Sequence, residues 1–209
     1  MLNDYNVNDN QTSLYSAVKT LDSMFQGGIY DHVGGGFARY SVDEKWLVPH
    51  FEKMLYDNAQ LMEAYLVGYQ LTKNEDYLTV ISQILEWLKD EMIDENGGFY
   101  SSMDADSEGV EGKYYVWNPE EIENVLSETD AKIFNQFYDI SKTGNWEGNS
   151  IPNIIMKKSS LSTLLKIPES EMSSSLEKSR LAIKEYRKSR IAPGTDDKII
   201  VSWNGLMIS

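Results

Sequence analysis

The sequence predicts a mainly α-helical fold, part of an α/α toroid with β-hairpins on one rim, covering residues 12–209 behind a flexible N-terminal segment at 1–11. Two observations carry this reading. Apolar residues recur at three- and four-residue spacing in several windows, two of which are joined by a four-residue polar link. A near-repeat opening on Gly-Gly-Phe falls between those helical windows and reads as a hairpin each time.

The first helix is expected over residues 12–26, where Leu14, Ala17, Val18, Leu21, Met24 and Phe25 share a face behind Thr12 and Gly27-Gly28 stops it. A second spans Phe51–Leu71 and a third Tyr77–Met92, the latter capped by Asn74. With only Thr72–Glu75 between them they form an antiparallel αα-hairpin. Asn118-Pro119-Glu120-Glu121 combines a cap, a proline at the first helical position and an acid three residues after the cap, which opens a short helix through Leu126. Another helix covers Thr129–Ile140. Residues 141–170 are broken by Gly and Pro and read mainly as loop, a basic helix follows near Met172–Arg190, and the last residues, from Ser202, begin one more. The repeat pairs residues 35–48 (GGFARYSVDEKWLV) with 97–117 (GGFYSSMDADSEGVEGKYYVW), sixty-two positions apart. Both are predicted as β-hairpins at the same end of the helical array.

Composition excludes several classes of function. With 19 Lys plus Arg against 33 Asp plus Glu the net charge is −14, a field that repels phosphate and anionic lipid, so neither nucleic acid nor membrane is an expected partner. No cysteine is present, so disulfides, zinc–thiolate sites and thiol chemistry are excluded. There is no long apolar run and no basic, apolar leader, and the expected location is the cytoplasm. The charge is uneven: residues 1–150 hold 9 basic and 27 acidic side chains, and residues 151–191 hold 9 and 4. The acidic body and the basic tail are expected to touch.

Chemistry-bearing residues crowd into one stretch. Asp31, His32, Arg39, Tyr40, Trp46, His50, Glu52, Tyr56 and Asp57 lie within 27 positions and include both histidines. Proton transfer at a sugar carbon or glycosidic oxygen needs a histidine or carboxyl of shifted pKa, a further charged group and aromatic surface, and all of these types are here. The structural alternative has His50 and Glu52 capping a helix and pairing with Lys53 or Arg39. Asp104, Asp106 and Glu108 alternate ahead of Gly109 like the first half of a calcium loop, but the twelfth position is Tyr115, so an EF-hand is excluded; a less regular Ca²⁺ site in a calcium-stabilised module is the minor alternative, and no metal or other cofactor is expected. Such a turn is otherwise a solvated hairpin tip or a set of acceptors for ligand hydroxyls. Trp46, Trp117, Trp146 and Trp203 fall in rim segments or at a helix start and serve either packing or sugar stacking, whereas Trp87 reads as core.

Residues 27–61 (GGIYDHVGGGFARYSVDEKWLVPHFEKMLYDNAQL), 97–117 and 196–209 (DDKIIVSWNGLMIS) resemble the spermatogenesis-associated, thioredoxin-domain-containing protein family. The resemblance covers roughly 12–209 and implies a helical region similar to six-hairpin glycosidases and N-acylglucosamine 2-epimerases, of which this chain holds about half. It further implies a thioredoxin-like domain elsewhere in the parent chain as a partner, a sugar or polyol ligand, and open toroid faces able to form a homodimer. By analogy with the epimerases, His50, Glu52 and Arg39 are the expected catalytic residues. Asp31, Tyr40, Trp46, Tyr56, Asp57, Asp104, Asp106, Trp117, Trp203 and Asn204 are the expected substrate-binding ones. The competing expectation is a non-catalytic scaffold packing on the thioredoxin-like domain.

Overall fold

The computed structural model describes residues 1–209. It contains nine helices and seven two-residue strands, in the order α1 Leu2–Asn8, α2 Gln11–Gln26, β1 Tyr40–Ser41, β2 Pro49–His50, β3 Lys53–Met54, α3 Leu55–Thr72, α4 Glu75–Trp87, β4 Ser102–Met103, β5 Asp106–Ser107, β6 Val110–Glu111, α5 Pro119–Val125, α6 Glu128–Phe137, α7 Lys158–Leu165, α8 Glu169–Arg187, β7 Thr195–Asp196 and α9 Val201–Ile208. A π-helical turn, Leu88–Met92, extends α4. The fold is mainly helical with small antiparallel sheets.

Local chemistry explains most of the boundaries. Asn10, not Thr12, caps α2 by accepting from the Ser13 N–H, and Asn74 caps α4 through the Asp76 N–H. Asn118 and Glu121 exchange side chain to backbone bonds in the expected capping box. Three expectations need correction. Residues 1–11 carry helix α1, whose Leu2 packs on the main core, in place of a purely flexible segment. Helix α3 starts at Leu55 and not Phe51, because Lys53 and Met54 are drawn into a sheet with Met103 and Ser102. Helix α7 occupies part of the predicted loop, seating Leu161 in a core.

The two Gly-Gly-Phe segments differ from simple hairpins. In the first, Tyr30 bridges Phe37 and the β1–β2 ladder pairs Tyr40 with His50 and Ser41 with Pro49, so its return strand lies just past Val48. In the second, β4 pairs with β3 on one side and β7 on the other, leaving only the small β5–β6 hairpin. The β3–β4 ladder puts both segments at the same end of the helices.

Three apolar clusters fill the interior. One joins α2, α3, α4 and α9 through Leu21, Tyr65, Tyr77, Ile84, Trp87 and Met207. A second joins α5, α6, α7 and α8 around Trp117, Phe134, Leu161 and Ile183. A small third, Phe51, Ala105, Tyr114, Tyr115, Val116 and Ile151, lies under the rim strands. The expected contact between acidic body and basic tail is made by α8. Its Arg180 reaches Glu86 at 3.1 Å, Lys184 reaches Asp90 at 2.8 Å, and Arg187 reaches Asp31.

Asp31 is the most enclosed of the acids in these pairs. Its side chain is 8% exposed, Lys53 Nζ donates to Oδ2 at 2.8 Å, and Arg187 Nη1 donates to both oxygens at 3.0 and 2.8 Å. The Val33 and Gly34 N–H groups complete the shell at 3.0 Å each. Burial alone would raise the Asp31 carboxyl, but Arg187 and Lys53 overcome it and hold the group well below the usual carboxylate range. Asp31→Asn strands two buried cations and should cost about 3–5 kcal/mol in chemical denaturation, or prevent folding. Lys198→Met, at an exposed pair, should change stability by no more than about 0.5 kcal/mol. A loss under about 1 kcal/mol for Asp31→Asn would refute the central role given to this triad.

Candidate functional site

The rim strands and the first turn of α3 bring most of the first constellation to one surface. Strand alternation does the sorting: Phe51 and Lys53 point inward while Glu52, between them, stays partly open. The Arg39 N–H donates to the Glu52 carbonyl at 2.8 Å, and Arg39 Nη1 donates to Glu52 Oε2 at 3.0 Å. His50 lies opposite Tyr40 in the β1–β2 ladder with the rings stacked at 5.0 Å. Its Nδ1 meets Glu111 Oε1 at 2.8 Å, and its Nε2 lies 3.9 Å from Glu52 Oε2. Glu111 was not expected in this cluster. Its strand β6 is paired with Asp106, which brings that predicted residue beside it.

At the start of α3, Tyr56 packs edge-on against Trp203 of α9, with centroids 4.7 Å apart. Asp57, in the first turn of α3, has its Oδ2 sealed from solvent without a hydrogen-bond partner. Desolvation raises its carboxyl to about 6, with Glu52 adding to the shift and Arg39 opposing it. The surface thus combines an arginine–carboxylate pair, a histidine–carboxylate pair, a carboxyl poised near neutrality and three aromatic rings. Such a set can orient hydroxyl groups and exchange a proton.

Other predicted residues are placed elsewhere. Asp31 is consumed by the buried triad. His32 is 3% exposed, edge-on to Tyr30 at 5.1 Å and bonded through Nε2 to the Gly27 carbonyl at 3.1 Å. Trp117 is fully buried under the Arg190 guanidinium at 3.7 Å, so its ring supports packing and offers no face to a sugar. Asn204 is also buried: its Oδ1 accepts from the Phe99 N–H at 2.7 Å and its Nδ2 donates to the Phe99 carbonyl at 3.0 Å. That bond pair docks α9 on the second Gly-Gly-Phe segment. Trp46 sits at φ +63° with its carbonyl accepting from Ile29, closing the loop over Gly27. Asp104 is exposed beside the β4 end, its N–H donating to the Gly194 carbonyl. Glu108 pairs with Lys113 at 2.6 Å, and nowhere do three or more His, Asp or Glu side chains gather as metal ligands.

No protein-family model matches the chain. It is 36% identical to spermatogenesis-associated protein 20 of Homo sapiens over 230 aligned positions, which take in 96% of the chain and 29% of that protein. The Mus musculus protein of the same name is 35% identical with the same coverage. An uncharacterized protein of Caenorhabditis elegans is 35% identical over 222 positions, covering 94% of the chain and 30% of that protein. The chain therefore spans under a third of the length of these curated relatives. No helix is long and apolar enough to cross a membrane.

The enclosure of His32 has a consequence for acid stability. Burial lowers its imidazole from 6.5 to about 4, so between those values the unfolded chain binds a proton that the folded chain refuses. Stability should fall as pH drops through that window, by up to about 3 kcal/mol from this group. Asp57 has the opposite sign, since its raised carboxyl takes up a proton in the folded state first, and offsets part of the loss below about 6. Urea midpoints measured from pH 7 to 4 should decline for the parent chain and flatten or reverse in His32→Phe. An unchanged slope in the variant would show that His32 is not the group responsible.

Proposed function

We propose that this chain is part of a carbohydrate-processing α/α-toroid domain whose rim surface contacts a sugar or polyol. The observation that carries the reading is the chain of contacts from Glu111 through His50 to Glu52 and Arg39, which both act on a carboxyl, Asp57, that has an unpartnered oxygen and is raised to about 6. Tyr40, Tyr56 and Trp203 supply the aromatic faces. In this reading His50 and Glu52 handle the proton, Arg39 orients the acid, and Asp57, first read as a binding residue, joins them as a proton carrier. The similarity to the full-length relatives supports testing it in a protein of their length, together with the thioredoxin-like domain that the resemblance implies.

A scaffold reading also has an observation behind it. Val201 and Ile208, one above the other on α9, are 84 and 75% exposed, apolar surface suited to packing against another part of a parent chain or a second copy. The two readings separate by mutation. If a protein of the relatives' length converts a sugar, His50→Ala and Glu52→Gln should each lower the rate about 10²-fold or more, because general acid–base groups contribute on that scale. The melting temperature should hardly move, since both residues are part-exposed. A fall in stability with no change in rate would favour the scaffold.

A further inference from the structure

A groove separates α4 from α8 on the side of the molecule away from α3. The helices are tied at one end by Glu86 with Arg180 and Lys184, and at the other by the longer Asp76–Lys158 approach of 3.9 Å from the start of α7. Between these posts lies a cavity of about 510 Å³, within the range that holds small ligands. Its floor is a run of rings in series, Phe25 to Tyr30 at 5.5 Å, Tyr30 to His32 at 5.1 Å and His32 to Tyr138 at 5.3 Å. None of these residues belongs to the rim surface.

Charge and hydrogen-bonding capacity decide what fits. Both cations at the closed end are matched: Arg180 binds Glu177 through Nε and Nη2 at 2.9 and 2.7 Å and Glu86 through Nη2, and Lys184 binds Glu86 and Asp90. An anion would meet no uncommitted cation at that end and only Lys158, 3.9 Å from Asp76, at the lip, while an organic cation would have to displace Arg180 or Lys184 from Glu86 and Glu177 or settle on the exposed Glu75. What the groove does offer is a wall that both donates and accepts. Gln83 is 7% exposed and lines the cavity; its Oε1 accepts from the Tyr30 hydroxyl at 2.6 Å, and its Nε2 donates to no protein group. Paired carboxylates of Glu86 and Glu177 keep spare lone pairs beside it.

We propose that this groove is a second binding site, for a neutral ring-shaped molecule bearing several hydroxyl groups, held by the Gln83 amide and the paired carboxylates over the aromatic floor. The proposal is independent of the rim reading, and the test keeps the two apart. The 209-residue chain, labelled with ¹⁵N, is titrated with glucose, N-acetylglucosamine and maltose, while the Gln83 side-chain amide and the Trp203 indole report on groove and rim. A saturable shift of the Gln83 amide with at least one of these sugars is expected. Gln83→Glu keeps an acceptor for Tyr30 and removes the donors, so binding followed by calorimetry should weaken about tenfold in a variant that circular dichroism shows to be folded. Arg39→Ala should leave the groove affinity as it was. No Gln83 shift with any of the three sugars, a shift only with 1,4-diaminobutane, or equal affinity in Gln83→Glu would each overturn the proposal. Movement of Trp203 without Gln83 would do the same while leaving the rim reading intact.

Discussion

The buried carboxylate of Asp31 is the constraint on which the other parts of this structure depend. It joins three stretches that are far apart in sequence: the loop after α2, strand β3 and the end of α8. Lys53 and Arg187 are 1% exposed each, and each would carry a desolvation cost of several kcal/mol if left without an opposite charge. The geometry leaves little room for alternatives. A Cβ on Gly34 would lie 1.8 Å from Arg187 Nη2, so the close approach of guanidinium to backbone requires glycine there. Tyr114 and Tyr115 close the shell from the rim, with the Arg187 guanidinium 4.8 Å from the Tyr114 ring.

From that anchor the rim surface follows by alternation. With Lys53 fixed inward by Asp31 and by the Gly35 carbonyl, its neighbour Glu52 must face outward, where Arg39 meets it. Pairing of Lys53 with Met103 brings the second Gly-Gly-Phe segment alongside, and β6 of that segment carries Glu111 to His50. The two repeats then do different work. Gly35, at φ +84°, lies where a Cβ would be 2.1 Å from the Gln83 carbonyl, so the first segment packs directly on α4. Phe99 of the second is held by Asn204, which sets α9 and therefore Trp203 against Tyr56.

Much of this was legible in the sequence where the signal was local. The αα-hairpin of α3 and α4, the Asn118 capping box and the late basic helix come from spacing and cap chemistry, which act over a few residues. The β-ladders were harder, because each strand is two residues long and its partner lies far away: β4 pairs with residues about fifty positions before it and ninety after. The surroundings of the candidate site residues were hidden in the same way. Asp31, Trp117 and Asn204 are residue types that ligands favour, yet each is occupied by a distant partner, Arg187, Arg190 or Phe99, that composition cannot reveal. The excess of basic residues after position 151 was the available signal for the two arginines, and it indicated the contact without its register.

The electrostatics of the rim narrow the ligand class further. Arg39 is the one cation among Glu52, Asp57, Asp106 and Glu111, and its Nη1 already bonds Glu52. The neighbourhood holds more acid than base, and desolvation, with Glu52 adding to it and Arg39 opposing, raises Asp57 to about 6 at a helix N-terminus, a position whose dipole would otherwise lower a carboxyl. The same excess, on a chain of net charge −14, opposes a phosphorylated or carboxylated sugar, which would need at least one uncommitted cation to offset its own desolvation. A neutral polyol has no such requirement: in the proposed site its hydroxyls would donate to carboxylates and its ring would lie against tyrosine and tryptophan. The shortage of uncommitted cations at this surface is therefore what makes an uncharged ligand the better fit for the proposed site.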